Sequence, residues 1–305
     1  MRRSYFIRYF VKYMIPLLVP IAILGSFSFY ITQQYMKDDI HANNAKMLEQ
    51  TRNDVETILN ELDPLYYTLN LNARLISDLK LLLRREEMSG ADVNAYNTLM
   101  NLINPHANVK SYIYSIYVYY SNESGRFIAS NEGLTNESLY FDDGWLKTLP
   151  RIPEETPVYF ENRSVQRYDF ERKKTELLTI YRRFASPGAS RADGMIVMNL
   201  KRDMFTEILD KQLYFPAQSL YVRQMDGSLI AGSSQPSFEH AWQWPLPQKE
   251  PQLYEETVDG HAYMVSAIGS GRYDLQYLSI TPKQYFYRLP IRLVYLTIIL
   301  LAVSF

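Results

Sequence analysis

SYIYSIYVYYSNESGRFIAS, Ser111 to Ser130, is the stretch in which the pattern of this 305-residue chain changes. Over Ser111–Ser121 it alternates with period two, which predicts a strand. Tyr112, Tyr114, Ile116, Val118 and Tyr120 fall on one face, and Ile113, Ser115, Tyr117 and Tyr119 on the other. The turn Asn122–Gly125 leads into a second strand, Arg126–Ser130, as a hairpin. Upstream of Ser111 the period is helical, and downstream strands dominate. The predicted fold class is therefore α+β.

The helical part is long. Leu48, Val55, Leu62, Leu69, Ile76 and Leu83 recur every seven residues, and Ile58, Leu65 and Leu79 add a second row three places on. Asn44, Thr51 and Asn72 interrupt that second row. Such a stripe faces a partner, either the chain's own sheet or the same helix in a second copy, so a homodimer is expected. Asp63-Pro64 predicts a kink or restart, with Asp63 as cap and Pro64 in the first turn. A shorter helix is read over Val93–Ile103, ending at Asn104-Pro105.

Beyond the hairpin, residues 131–157 read as a loop containing Trp145. Val158–Glu161, Glu176–Ala185 and Gly194–Leu200 then complete a five-strand antiparallel set, with turn residues at Ser186–Asp193. Asp203–Leu213 reads as a helix carrying Phe205, Ile208 and Leu209 on one face. A smaller set of four strands follows: Ser219–Gln224, Leu229–Gly232, His261–Ile268 and Leu275–Ile280. Pro236–Pro251, with Trp242 and Trp244, reads as an irregular loop.

Both ends are apolar. Met14–Ile31 carries no charge, and its 18 residues at about 1.5 Å each nearly cross a hydrocarbon layer. Arg2, Arg3, Arg8 and Lys12 precede it without an acidic residue among them, which orients the amino terminus inward and Thr32 onward outside. A signal peptide is the alternative, but no small-x-small cleavage site follows. A second apolar run begins at Leu289 and is still in progress at Phe305, so the expectation is a chain cut inside a second span, before an output module.

Composition excludes several chemistries. A net charge of −1 argues against a nucleic-acid surface, and zero cysteines exclude disulfides and thiolate catalysis. His41, His106, His240 and His261 are scattered without ligand spacing, and Asp142-Asp143-Gly144 lacks the other ligands of a calcium loop. No GxSxG elbow occurs. No catalytic residue, metal or cofactor is expected, and the chain is not read as an enzyme.

The order of elements resembles double-Cache sensor regions, in which a span, a long helix, a distal PAS-like sheet, a proximal one and a second span follow each other. The likeness is carried by SIYVYYSNESGRFIAS (Ser115–Ser130), ELLTIYRRFASPGASRADGMIVMNLKRDMFTEIL (Glu176–Leu209) and SLYVRQMDGSLIAGS (Ser219–Ser233). It implies an inner segment 1–13, a span 14–32, an external helix 33–90, a distal subdomain 91–200, a proximal subdomain 201–288 and the start of a second span 289–305. Residues 33–288 would then lie outside a cell membrane. RYFVKYMIPLLVPIAILGSFSFY and MLEQTRNDVETILNELDPLYYTLNLN (Met47–Asn72) further resemble the amino-terminal half of membrane-anchored AraC-family transcription regulators. DNA would then be met only through a domain beyond Phe305. Sensor histidine kinases and chemoreceptors share the outer architecture, and a surface protein that binds without signalling is a further reading.

In Cache domains the distal sheet and the loop crossing it form the ligand cavity. The resemblance places Tyr117 and Tyr119, Trp145, Tyr159, Tyr181 and Arg183 there. Arg183 offers paired hydrogen bonds to a carboxylate or another anion. The ordered Tyr, Arg, Trp and Asp set of amino-acid-binding members is not evident, and tyrosine-rich pockets suit sugars. The implied partner is thus a small molecule, carbohydrate included, or a protein.

Overall fold

The computed structural model describes residues 2–85, 88–121, 125–168, 170–185, 191–215, 217–234, 252–258 and 260–284. The second apolar run, the Trp242–Trp244 segment and most of the Asn122–Gly125 turn lie outside the described residues. One helix, α1, runs from Arg2 to Asn60 and continues through Pro16 and Pro20. Among the described residues no helix is long and apolar enough to cross a membrane, and several side chains of the run 14–31 lie outside them. Val19, Ile23, Leu24, Phe27 and Tyr30 of that run are exposed.

The helical stripe breaks twice. α2 (Asp63–Leu71) restarts with Pro64 in its first turn, and α3 (Ala73–Arg84) starts at Asn72, whose side chain accepts from the Leu75 N–H at 3.0 Å. Asp63 is not the cap expected of it. It is the first residue inside α2, and its buried carboxylate is taken by two arginines. α4 (Gly90–Val109) begins at a capping box between Ser89 and Asp92. It extends past the predicted stop, with Pro105 inside it. Asn101, whose carbonyl loses its donor to that proline, is exposed, so solvent can satisfy it.

The first sheet holds β1 (Ile113–Tyr120), β2 (Arg126–Ala129), β3 (Gly133–Asn136), β4 (Tyr159–Val165), β5 (Thr175–Phe184) and β6 (Gly194–Lys201). Their order is β3-β2-β1-β6-β5-β4, antiparallel throughout. It has six strands, not five: β3 is four residues long and too polar to alternate visibly. Residues 131–157 also hold a short helix, α5 (Gly144–Thr148), and a 3₁₀ turn, Leu149–Arg151. One face of the sheet, with Ile116, Val118, Ile180 and Ile196, packs on the helices; the other, with Tyr117, Phe127, Tyr181 and Val197, lies under the crossing segment. Ile113 departs from the predicted alternation. A register irregularity between Ile113 and Ser115 turns it into the helix-side core.

α6 (Arg202–Gln212) leads to β7 (Ser219–Gln224), β8 (Leu229–Gly232), β9 (Gln252–Val258), β10 (His261–Gly269) and β11 (Leu275–Pro282). This second sheet has the order β8-β7-β11-β10-β9, and β9 is the strand that sequence reading missed. In QLYEETV only Leu253, Tyr254 and Val258 are apolar, too little for an alternating signal. The heptad residues Leu48, Val55, Leu62, Leu69, Ile76 and Leu83 are all buried within this one chain, against its own sheets and helices. Of the two partners expected for the stripe, the one present is the chain's own sheets and helices, which cover those side chains. Between the sheets, the Asn162 amide donates to the carbonyls of Leu229 and Ile230 at 2.6 and 3.1 Å.

Candidate functional site

On the face of the first sheet away from the helices, apolar strand positions are interrupted by polar ones in register. Thr179 pairs with Asn199 across β5–β6, and Ser115 with Asn199 across β1–β6. Polar groups at such buried positions need partners. Arg163 supplies them. Its Nε donates to Thr179 Oγ1 at 2.9 Å and its Nη2 to Asn199 Oδ1 at 2.8 Å. Asn199 Nδ2 donates to Ser115 Oγ, and Ser115 to Tyr117 Oη, each at 2.9 Å.

The crossing segment closes this network from above. Asp142 accepts from Arg163 Nη1 and Nη2 at 2.6 and 3.0 Å, and from Tyr117 Oη at 2.9 Å. The pair is deeply buried, with side-chain exposures of 8% for Arg163 and 3% for Asp142. Burial opposes the guanidinium charge, but the bonded Asp142 carboxylate outweighs it and holds the Arg163 pKa above its ordinary value. Tyr117 is pushed up well above the tyrosine range, first by desolvation and then by the Asp142 charge. A second node lies nearby. Glu161 accepts from Thr148 at 2.9 Å and from Tyr181, whose pKa burial raises.

Beside this closed core is an open cleft of about 580 Å³ between α5, the 3₁₀ turn and the ends of β1, β5 and β6. Tyr119, Leu146, Leu149, Pro150, Arg183 and Met195 contribute to its lining. Arg183 Nη2 donates to the Ile152 carbonyl at 2.7 Å, while its Nε is buried without a hydrogen-bond partner among the described residues. Trp145 Nε1 is in the same condition. An unpaired buried donor beside a cleft is a natural contact for an acceptor that enters it. No group of three or more His, Cys, Asp or Glu side chains that could hold a metal ion comes together among the described residues.

The six sequence-derived residues therefore divide. Tyr119 and Arg183 line the cleft. Trp145 is 0% exposed beneath it, its ring 5.6 Å from that of Tyr119 and 5.5 Å from that of Tyr117. Tyr117 and Tyr181 are buried, with their hydroxyls committed to Asp142 and Glu161. Half-buried Tyr159 packs on Tyr181 at 5.9 Å, away from the cleft lining. Sequence reasoning missed Asp142, Arg163, Thr179 and Asn199. The available signal was a polar residue on the inward phase of two apolar strands, Thr179 in ELLTIYRRF and Asn199 in GMIVMNL.

No family model matches the chain. No curated protein matches it either. Solved structures do. The ligand-binding domain of the Campylobacter jejuni chemoreceptor Tlp3 in complex with L-valine aligns at 11% identity over 85% of this chain and 98% of its own, with a TM-score of 0.53. That of the Pseudomonas fluorescens chemoreceptor CtaA with L-isoleucine aligns at 14% identity over 85% and 98%, TM-score 0.53. The extracellular domain of the putative histidine kinase soHK1S-Z6 aligns at 13% identity over 83% and 98%, TM-score 0.51. At these identities the likeness is one of fold: a mixed α+β chain with two antiparallel sheets, built like those three domains.

Proposed function

We propose that residues 33–288 are the extracellular ligand-sensing region of a membrane-anchored signalling protein, and that the ligand enters the cleft at Tyr119 and Arg183. The observation that carries this reading is the cleft itself, placed on a sensor fold, with an unpaired Arg183 donor at its edge. The named neighbours are sensory or ligand-binding domains, which supports binding over catalysis. The exposed apolar side chains of α1 between Val19 and Tyr30 support a lipid anchor. Because most tyrosine hydroxyls here are consumed internally, the lining favours a small molecule bearing a carboxylate over a sugar. Amino acids, which the Tlp3 and CtaA structures contain, belong to that class.

The output module has two readings. Fold likeness to chemoreceptors and a kinase supports a signalling domain of either of those types, and the resemblance of the amino-terminal residues supports an AraC-type DNA-binding domain. The gene sequence following codon 305 separates them: paired helix-turn-helix motifs mean a regulator, a histidine-bearing helix with ATP-binding motifs a kinase. For the sensor, the test is a thermal-shift screen of the full chain in detergent with amino acids, organic acids and sugars. A carboxylate ligand at about 100 times its Kd adds roughly 2.7 kcal/mol to stability, a clear rise in Tm. Arg183→Gln should abolish that rise. A rise that survives Arg183→Gln contradicts the cleft as the site.

A further inference from the structure

The break between α1 and α2 gathers side chains from both sheets. The buried Asp63 carboxylate contacts Arg182 Nη1 of β5 at 2.5 Å and accepts from Arg272 Nη2 in the β10–β11 turn. Arg182 lies against the helices, its guanidinium carbon 4.9 Å from the centre of the Tyr66 ring in α2. Tyr66 in turn donates to the Arg183 carbonyl at 2.9 Å. On the other side Arg272 Nη1 donates to Asn60 Oδ1 at 2.6 Å, and Tyr273 donates to the same oxygen at 3.0 Å. Arg182 and Arg183 are neighbours on one strand, and strand alternation sends one to the helix break and the other to the cleft.

We propose that Asp63 couples the two sheets, so that a displacement of β5 at the cleft reaches the β10–β11 turn through this carboxylate. The physical reason is competition: two guanidinium groups share one acid, so loosening either changes how the other is held. Arg183 is the side chain a ligand would draw on, and its carbonyl and its neighbour Arg182 are the points at which α2 grips β5. The interruption at Glu61–Leu62 makes α2 an element separate from α1. This inference rests on the cleft being the input site, but its test needs no ligand, so failure of one is distinguishable from failure of the other.

The test is amide hydrogen exchange of the full chain in detergent, comparing wild type, Arg272→Gln, Arg182→Gln and Asp63→Asn. Arg272 is 48% exposed at its side chain, so Arg272→Gln should fold even where the other two variants do not. Coupling of ordinary size predicts about fivefold or faster exchange within residues 180–184 in Arg272→Gln, across the Asp63 carboxylate that Arg272 shares with Arg182. Where Asp63→Asn folds, adding Arg272→Gln to it should produce no further change in β5. Faster exchange confined to residues 270–274 in Arg272→Gln overturns the proposal.

Discussion

Tyrosine is the residue on which the site is built, and its hydroxyls set a pH limit. Tyr117, Tyr120, Tyr140, Tyr181 and Tyr277 all have pKa values raised above the ordinary tyrosine value, with desolvation the largest cause in each. The unfolded chain would titrate them at about pH 10. Above that pH the folded state keeps protons that the unfolded state releases, so stability falls as pH rises. The contribution is fully present below about pH 10 and is lost progressively above it. Tyrosinate absorbance followed together with circular dichroism should show these groups ionising in a steep step as the sheet signal disappears. Gradual ionisation of all tyrosines near pH 10 with the sheets intact would contradict the buried network. The same network shows why Asp142 and Arg163 were hard to find: they lie 21 residues apart, on a loop and an edge strand, and only the register joins them.

Elements with strong periodicity were legible. The stripe from Leu48 to Leu83 and the alternation of Ser111–Ser121 led to helix and sheet because burial acts on every turn or every second residue of them. Elements without a repeat were not. β3 is four residues long and is set by Gly133, whose φ of +80° places it in the left-handed region. A Cβ there would also stand 2.4 Å from the Tyr96 hydroxyl of α4. Gly133→Ala should therefore cost about 1–2 kcal/mol, read as a lower urea midpoint with an unchanged slope. An unchanged midpoint would mean that β3 is not held as described. The cleft was only half legible for a similar reason. Tyr119 and Arg183 carry a strand phase that points to it, whereas Leu149 and Pro150 enter through a 3₁₀ turn that has no sequence period.

At the scale of the whole molecule, two sheets hang on one segmented helix, and the chain's own sheets cover the stripe that could have joined two copies. What remains for function is the cleft, the apolar stretch of α1 and the Asp63 junction at the break between α1 and α2. This arrangement works as a sensor only if the cleft faces the outside of a cell. Because the chain has no cysteine, a single introduced thiol reports its own location without background. Ser121→Cys, at an exposed position beside the cleft, should react with a membrane-impermeant maleimide in intact cells, while Tyr5→Cys should react only after lysis. Reaction at Ser121→Cys only after lysis would contradict an extracellular sensing region.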